Sequence, residues 1–201
     1  MAVVKNIILF LLLFFIVQQA TAQNIDINIL KTINPQHPDA FVWKAASGSI
    51  DWVVGSIVFG TLTYGYISKD KTIQVNGYEL LMVTAVNIGA TEIFKSIFNR
   101  TRPADKYPEE VFVNSPAKGK SLPSGHTSQA FALATTLTLQ YRKWYVAVPA
   151  YLWASSVGYS RMYLGKHYPS DVLAGAALGA GVSYLGHIIS NKLFRRKKGS
   201  K

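Results

Sequence analysis

Two histidines in this chain have sequence neighbours that suit a chemical reaction. His167 is followed four residues later by Asp171, a spacing that lets one turn of helix or a tight bend bring the carboxylate to the imidazole. A carboxylate on one ring nitrogen fixes the tautomer and raises the nucleophilicity of the other nitrogen. His126 has no carboxylate beside it in the sequence and is free to donate a proton. The pattern suggests a nucleophile and a proton donor.

Positive charges and a flexible backbone accompany these histidines. Lys95, Arg102 and Arg161 are cations, and the arginine fork matches phosphate oxygens two at a time. Ser124 offers a hydroxyl, and Gly125 lets the backbone approach a ligand closely. The amides at the start of the helix that follows would point toward an anion. These residues together predict a phosphate-binding site built without a P-loop.

The residues of this candidate site lie at the ends of hydrophobic segments. Five segments predict an all-α bundle of five to six transmembrane helices. They are Ile50–Ser68, Gly77–Phe98, Gly125–Gln140, Trp144–Tyr163 and Ser170–Ser190. The second and third contain polar residues, which in a membrane usually face the interior of the bundle. In the last, Gly175 and Gly179 belong to a small-residue face that predicts close helix packing.

Both ends of the chain carry targeting or topology signals. Met1–Ala22 has an early lysine, a short apolar core and a small-x-small cleavage pattern, so we predict a signal peptide, with an uncleaved first helix as the alternative. Residues 23–49 are predicted to form a periplasmic amphipathic segment on the membrane surface. Residues 50–190 would then form the helical domain. Residues 191–201 would form a basic cytoplasmic tail, because basic residues after a hydrophobic segment mark that side.

Counting helices places the three charged clusters on one face of the membrane. The connections alternate between two sides, and the side with the basic tail is expected to be cytoplasmic. The N-terminal segment, the loop of residues 103–123 and the stretch of residues 161–171 then lie on the other side. We therefore expect an active site at the periplasmic ends of the helices of a bacterial inner membrane. That outer face is itself basic, and the positive-inside rule does not explain its charge.

The composition excludes some functions and weakens others. The chain has 201 residues, which suits one domain, and no cysteine, which excludes disulfides, thiol catalysis and thiolate metal sites. A net charge of +11 suggests nucleic acid, anionic lipid or phosphorylated substrates as partners. The basic tail lacks an aromatic platform, so we interpret it as a lipid anchor, with no nucleic-acid partner. Three nearby cations would repel a metal ion, so we expect no metal and no cofactor.

At this point the motifs resemble those of a known family. Lys95-x6-Arg102-Pro103, Pro123-Ser124-Gly125-His126 and Ser160-Arg161-x5-His167-x3-Asp171 are similar to the three signatures of the type 2 phosphatidic acid phosphatases. That superfamily also contains the vanadium haloperoxidases and the bacterial class A acid phosphatases. Every signature position is present and in order. The usual membrane members have six helices, and the first falls where this chain has its signal-like segment.

The resemblance implies a role for each residue of the site. His167 would attack phosphorus and form a phosphohistidine, Asp171 would orient it, and His126 would protonate the leaving oxygen and later activate water. The remaining site residues would hold the phosphoryl oxygens and stabilise the transition state. They are Lys95, Arg102, Ser124, Gly125 and Arg161.

The leading prediction is a metal-independent membrane phosphatase that acts on a lipid phosphate or diphosphate. Undecaprenyl diphosphate, phosphatidylglycerophosphate and lipid A phosphate are the candidate substrates. The alternative is a soluble periplasmic acid phosphatase with broad specificity, which the signal peptide favours and the glycine-rich last segment opposes. A vanadate-dependent peroxidase is a third hypothesis, although those chains are usually much longer. A relative that only binds lipid is a fourth, although no signature residue is missing.

Overall fold

The structure, a computed structural model, describes residues 25–195 of the chain. Across these residues the backbone forms helices and loops and contains no β-strand, which confirms the predicted all-α class. The predicted signal peptide, Met1–Ala22, lies outside the described residues. So does the end of the predicted basic tail, from residue 196 onward.

Eight helical elements follow one another in the described residues. Residues 25–33 are helical and are called α1. The others are α2 (Phe41–Ile67), α3 (Lys71–Phe98), α4 (Pro103–Lys106), α5 (Gly125–Tyr141), α6 (Trp144–Tyr163), α7 (Pro169–Ser190) and a π-helical turn, Asn191–Arg195. The five predicted hydrophobic segments are thus all helices.

Two of these helices begin earlier than their hydrophobic segments. The first was expected from Ile50, but α2 begins at Phe41, so the boundary drawn between residues 49 and 50 falls inside a helix. The second was expected from Gly77, but α3 begins at Lys71. The carboxylate of Asp70 accepts the backbone N–H groups of the first turn of α3 and caps it. The first turn of α3 is mostly polar (Lys71, Thr72 and Gln74), so hydrophobicity alone placed its start too late. Helix α2 instead begins with Phe41, Val42 and Trp43, which were predicted to belong to the amphipathic surface segment.

Helix α5 lies at the centre of the bundle and packs closely against α7. A Cβ atom on Gly179 would lie 2.0 Å from the carbonyl oxygen of Ser128, and one on Gly175 would lie 2.6 Å from that of Ser124. Only glycine allows this backbone approach, which confirms the small-residue face predicted for the last segment. The contact brings the first turns of α5 and α7 together, and both turns carry residues of the candidate site.

Three stretches in the described part of the chain are long and apolar enough to cross a membrane. They are Phe41–Ile67, Lys71–Lys106 and Pro169–Phe194. Large apolar side chains stand exposed on them, including Trp52 (80% exposed) and Leu173 (71% exposed). Helix α5 does not meet the same criterion, since it is shorter and its polar residues pack inside the bundle. An apolar surface of this extent suits lipid contact and opposes the soluble alternative.

Candidate active site

His167 lies buried in the short loop between α6 and α7, with each ring nitrogen facing a charged group. Its Nε2 is 3.2 Å from Nη1 of Arg102, and its Nδ1 is 3.5 Å from Oδ2 of Asp171. Because a guanidinium can only donate, Nε2 is the acceptor and the ring proton is assigned to Nδ1, on the side of the carboxylate. The lone pair of Nε2 therefore points toward the cations, as attack on phosphorus requires.

Asp171 lies in the first turn of α7, and several hydrogen-bond donors hold its carboxylate in place. Its Oδ2 accepts the hydroxyl of Ser121 and the backbone N–H of Tyr168, the latter at 3.0 Å. Its Oδ1 accepts Nη1 of Arg100 at 2.6 Å. At 3.5 Å the contact with His167 is at the outer limit of a hydrogen bond. Asp171 thus acts on the ring mainly through its charge and its fixed position.

Burial and neighbouring charges keep His167 neutral. Burial lowers the pKa of His167 to about 4; the contact with Asp171 opposes this shift, and the charges of Arg161 and Arg102 add to it. A neutral imidazole has the free lone pair that a nucleophile needs. The ring of His167 is therefore neutral at pH 7, as a nucleophile at this position would need.

Arg102 is locked to the backbone around the site. Its Nε donates to the carbonyl of Gly119 at 3.0 Å, its Nη1 to that of Lys166 at 2.8 Å, and its Nη2 to that of Lys118 at 2.9 Å. With the contact to His167, four of its five N–H donors are engaged. One N–H group of Arg102 therefore remains for an anion. A second becomes available when Nε2 of His167 contacts a substrate instead of Arg102.

Arg161 approaches the same place from the end of α6. Its Nη1 donates to the hydroxyl of Ser47 in α2, and its Nε is buried without a hydrogen-bond partner in the described part of the chain. A buried donor left unsatisfied is costly in the absence of a ligand. The N–H group at Nε of Arg161 is therefore available to donate to an anion.

His126 and Lys95 lie together on the other side of the site. They line a cavity of about 230 Å³ bounded by residues of α2, α3 and α5. A Cβ on Gly125 would lie 3.6 Å from Nζ of Lys95, and Nζ itself pairs with Glu92 at 2.7 Å. Burial, followed by the charge of Arg161, lowers the pKa of His126 to about 3; this residue stands at the start of α5, outside the three spans. Without a bound anion, His126 is therefore neutral.

Ser124 is placed differently from the other predicted ligands. Its side chain is fully buried, and its hydroxyl lies 2.9 Å from the hydroxyl of Thr127 in the same helix. Its backbone N–H donates to the carbonyl of Asp171 at 3.0 Å. Ser124 therefore joins the starts of α5 and α7, and Gly125 is the first residue of α5.

The structure brings the three predicted clusters together and adds residues that sequence reasoning missed. Arg100, Ser121 and Ser47 hold Asp171 or Arg161 in place, and Lys166 is close enough to His126 to act on its charge. Arg100 had one signal in the sequence, a positive charge between Lys95 and Arg102. In residues 25–195, no group of three His, Cys, Asp or Glu side chains is placed to hold a metal ion.

Comparison with known proteins identifies the class to which this fold and site belong. Residues 77–195 match the PAP2 superfamily, so the chain belongs to that superfamily. The resemblance seen in the sequence motifs is thereby confirmed.

Solved structures and named relatives agree with this assignment. The structure of Aquifex aeolicus LpxE has a TM-score of 0.64 at 26% identity and covers 84% of this chain and 95% of its own. A transmembrane PAP2 type phosphatidylglycerolphosphate phosphatase from Bacillus subtilis, at 24% identity, supports the fold alone: its TM-score is 0.67, with 92% of this chain and 96% of its own covered. These neighbours confirm the predicted class, a transmembrane helical bundle.

Several relatives carry the names of lipid phosphatases. A lipid A 4'-phosphatase of Bacteroides thetaiotaomicron is 32% identical over 123 residues, which cover 58% of this chain and 54% of that protein. A lipid A 1-phosphatase of Porphyromonas gingivalis is 48% identical over 82 residues, 39% of this chain and 18% of that protein. The matches thus span about half, or less, of the length of these relatives.

Proposed function

We propose that this protein hydrolyses a phosphate monoester or diphosphate of a membrane lipid, without a metal ion, through a phosphohistidine on His167. The observation that carries the proposal is the orientation of His167, whose Nε2 lone pair points at the guanidinium of Arg102 while its Nδ1 faces Asp171. A nucleophile aimed into a cluster of cations suits attack on an anionic phosphorus centre. Membership of the PAP2 superfamily supports the same chemistry.

In the first step, the Nε2 lone pair of His167 forms a bond to phosphorus, and the bond between phosphorus and the leaving oxygen breaks. His126 gives a proton to that oxygen. Asp171 stabilises the positive charge that develops on the imidazole. Burial, followed by the charge of Arg161, lowers the pKa of His126 in the absence of ligand, and the negative charge of a bound phosphate opposes this shift by favouring the protonated ring. The anion itself would thus make His126 competent to carry this proton.

In the second step, His126 takes a proton from water as the water oxygen attacks phosphorus. The phosphorus–nitrogen bond breaks, its electron pair returns to Nε2 of His167, and phosphate leaves. During both steps the developing negative charge is spread over the phosphoryl oxygens. Arg102, Arg161, Lys95 and the first amides of α5 are the donors available to them.

The bundle supports a lipid as the substrate. The candidate site lies where α3 ends and α5 and α7 begin, and two of these helices belong to apolar, membrane-length stretches. A headgroup phosphate at the membrane surface would reach this level with its tails still in the bilayer. We place the site on the periplasmic face of a bacterial inner membrane, following the charge of the loops. The relatives named for lipid A make lipid A phosphate the first substrate to test.

The test is phosphate release by detergent-purified protein in the presence of EDTA. The panel contains lipid A, undecaprenyl diphosphate, phosphatidylglycerophosphate and one soluble ester, p-nitrophenyl phosphate. His167→Ala is the inactive variant, and His37→Ala, which changes an exposed histidine, is the matched control. We expect release from at least one lipid, lost in His167→Ala and retained in His37→Ala. Release from the soluble ester alone would favour the broad-specificity acid phosphatase.

A phosphoenzyme trap tests the intermediate separately. Labelled substrate mixed with the protein and quenched in alkali would leave label on the chain, because a phosphoramidate bond survives base and is cleaved by acid. The label should be absent from His167→Ala. Label that survives acid, or turnover with no label on the chain under rapid quenching, would contradict the phosphohistidine.

A further inference from the structure

Arg100 joins two carboxylates that are far apart in the sequence. Its Nη1 donates to Oδ1 of Asp171 and to Oγ of Ser170, both at 2.6 Å, and its Nη2 donates to Oδ2 of Asp26 at 2.7 Å. The guanidinium also lies 3.9 Å from the ring centre of Tyr168, a cation–π contact. Each end of its fork is therefore fixed by a different carboxylate, and its flat face by an aromatic ring.

The second carboxylate comes from α1, outside the part of the chain that matches the superfamily. Asp26 is buried, and besides Arg100 it accepts the backbone N–H of Ser170 at 2.9 Å and the Ser170 hydroxyl. Just after α1, the Asn34 amide donates to the carbonyls of Phe112 and Tyr163 at 2.9 and 2.8 Å. Helix α1 is thus attached at both ends to the segments that carry the site.

We propose that Arg100 is a positioning residue that acts through Asp171 on His167, and that α1 supplies Asp26 to hold Arg100 in place. This inference rests on the proposed function, because it concerns the same nucleophile. Arg100 occupies one oxygen of Asp171, which leaves the other to face His167 in a single orientation. It also shares the negative charge of Asp171, which limits how strongly that charge attracts a proton to the imidazole.

The test compares Arg100→Gln, Arg100→Lys and Asp26→Asn with wild type in the phosphate-release assay. Lys31→Gln is the matched control, because it breaks another ion pair of α1, with Glu110, at the protein surface. Partners that orient a histidine through a carboxylate are worth about 10- to 100-fold at metal sites, and we expect a similar fall in kcat for Arg100→Gln with little change in KM. Asp26→Asn should lose less than Arg100→Gln, and Lys31→Gln should match wild type.

The dependence of kcat on pH distinguishes a loss of positioning of His167 from a general loss of structure. The relevant part is the acid limb, where kcat falls as the pH is lowered. In Arg100→Gln the full charge of Asp171 acts on His167, so the limb should move to higher pH. Arg100→Lys keeps the charge and should leave the limb in place. The other charged or titratable groups that act on His167 are unchanged in these variants: Arg102, Arg161 and His126. Lys166, which acts on His126, is unchanged too.

Chemical rescue provides a second readout. Arg100 lines a cavity of about 670 Å³ together with Asp26, Tyr168 and Ser170, so a small cation can reach the vacated position. Guanidinium should restore activity to Arg100→Ala, whereas urea, which has the same shape without the charge, should not. Both ligands are tested at concentrations that leave wild-type activity unchanged.

Two outcomes would overturn the inference while leaving the proposed function intact. One is wild-type kcat and an unmoved acid limb in Arg100→Gln. The other is a loss of activity that follows a lower unfolding temperature, with no shift of the limb and no rescue by guanidinium. If wild type itself releases no phosphate from any substrate, the proposed function fails and this inference fails with it.

Discussion

Residues 25–195 contain two buried pairs of a histidine and a carboxylate, one near each end of α7. His167 and Asp171 form the first, at the start of the helix, with 3.5 Å between Nδ1 and Oδ2. His187 and Glu79 form the second, near the end of the helix, with 2.8 Å between Nδ1 and Oε1. By distance alone, the second is the better ion pair, yet only the first is assigned to chemistry.

The surroundings of the two pairs differ far more than the pairs do. The first lies where loops meet helix ends, and Arg100, Arg102 and Arg161 contact it or act on its charge. The second bridges α3 and α7 within two apolar stretches of membrane length. Next to it, Gly186 packs so closely on Val83 that a Cβ would lie 2.6 Å from a methyl of that valine.

A histidine–carboxylate pair is therefore not a catalytic feature in itself. Inside a membrane span, such a pair satisfies two polar groups that would otherwise be costly, and it joins two helices. At the helix ends, the pair is surrounded by cations and hydrogen-bond donors, and such surroundings suit an anionic ligand. Changing equivalent residues in the two pairs should thus affect activity in one case and stability in the other.

The largest difference should appear when each histidine is replaced by glutamine. His167→Gln removes the proposed nucleophile, and removing a nucleophile from a residue set that acts as a unit commonly costs about 10³- to 10⁶-fold in kcat. His187→Gln should keep kcat within a few-fold of wild type. It should lose about 2 kcal/mol of stability, because a buried hydrogen bond to a carboxylate is weakened. Phosphate release and thermal unfolding in detergent measure the two effects.

The assignment of activity to the first pair and stability to the second would be wrong if both variants lost activity equally at a temperature where both remain folded. It would also be wrong if His167→Gln retained turnover. Folding of each variant is checked by size-exclusion chromatography in the same detergent before its kinetics are measured.

A smaller difference is expected from the carboxylates. Asp171→Asn keeps the side-chain shape but removes the charge that we propose stabilises the imidazole during attack, so we expect kcat to fall by about 10²- to 10⁴-fold. Glu79→Gln should leave kcat close to wild type and lower the unfolding temperature. Steady-state kinetics on the preferred lipid, with KM and kcat resolved, provide the measurement. An active Asp171→Asn would remove Asp171 from the mechanism.

The fold class could be predicted from the sequence, and so could the meeting of the charged clusters on one face, because both depend on local patterns. Apolar runs broken by polar turns predict helices, and helix counting placed Lys95, His126 and His167 on one face. The glycines of α7 predicted its close packing. These inferences need only residue types, spacings and the alternation of helix directions.

Other parts of the site depend on contacts between distant segments, and these were missed. Asp26 meets Arg100 across 74 residues and Ser170 across 144, and no local pattern marks such a pair. The hydroxyl of Ser124, which was predicted to hold the phosphate, lies 2.9 Å from the hydroxyl of Thr127. The motif does not indicate this contact, and the role of Ser124 in binding phosphate stays a prediction.

The smallest predicted effect concerns the pH dependence of stability. The pKa of His167 is lowered from 6.5 to about 4 in the folded protein, so between these values the unfolded chain binds more protons than the folded one. The stability contributed by the neutral ring is therefore complete above pH 6.5 and is lost as the pH falls toward 4. At one pKa unit per 1.36 kcal/mol, wild type should lose about 2 kcal/mol more than His167→Gln between pH 7 and pH 5. His126 is present in both proteins, and burial lowers its pKa to about 3, well below pH 5, so its own titration nearly cancels in the comparison. Denaturant unfolding at the two pH values measures the difference, and equal losses would mean that His167 is no more difficult to protonate in the folded protein than in the unfolded chain.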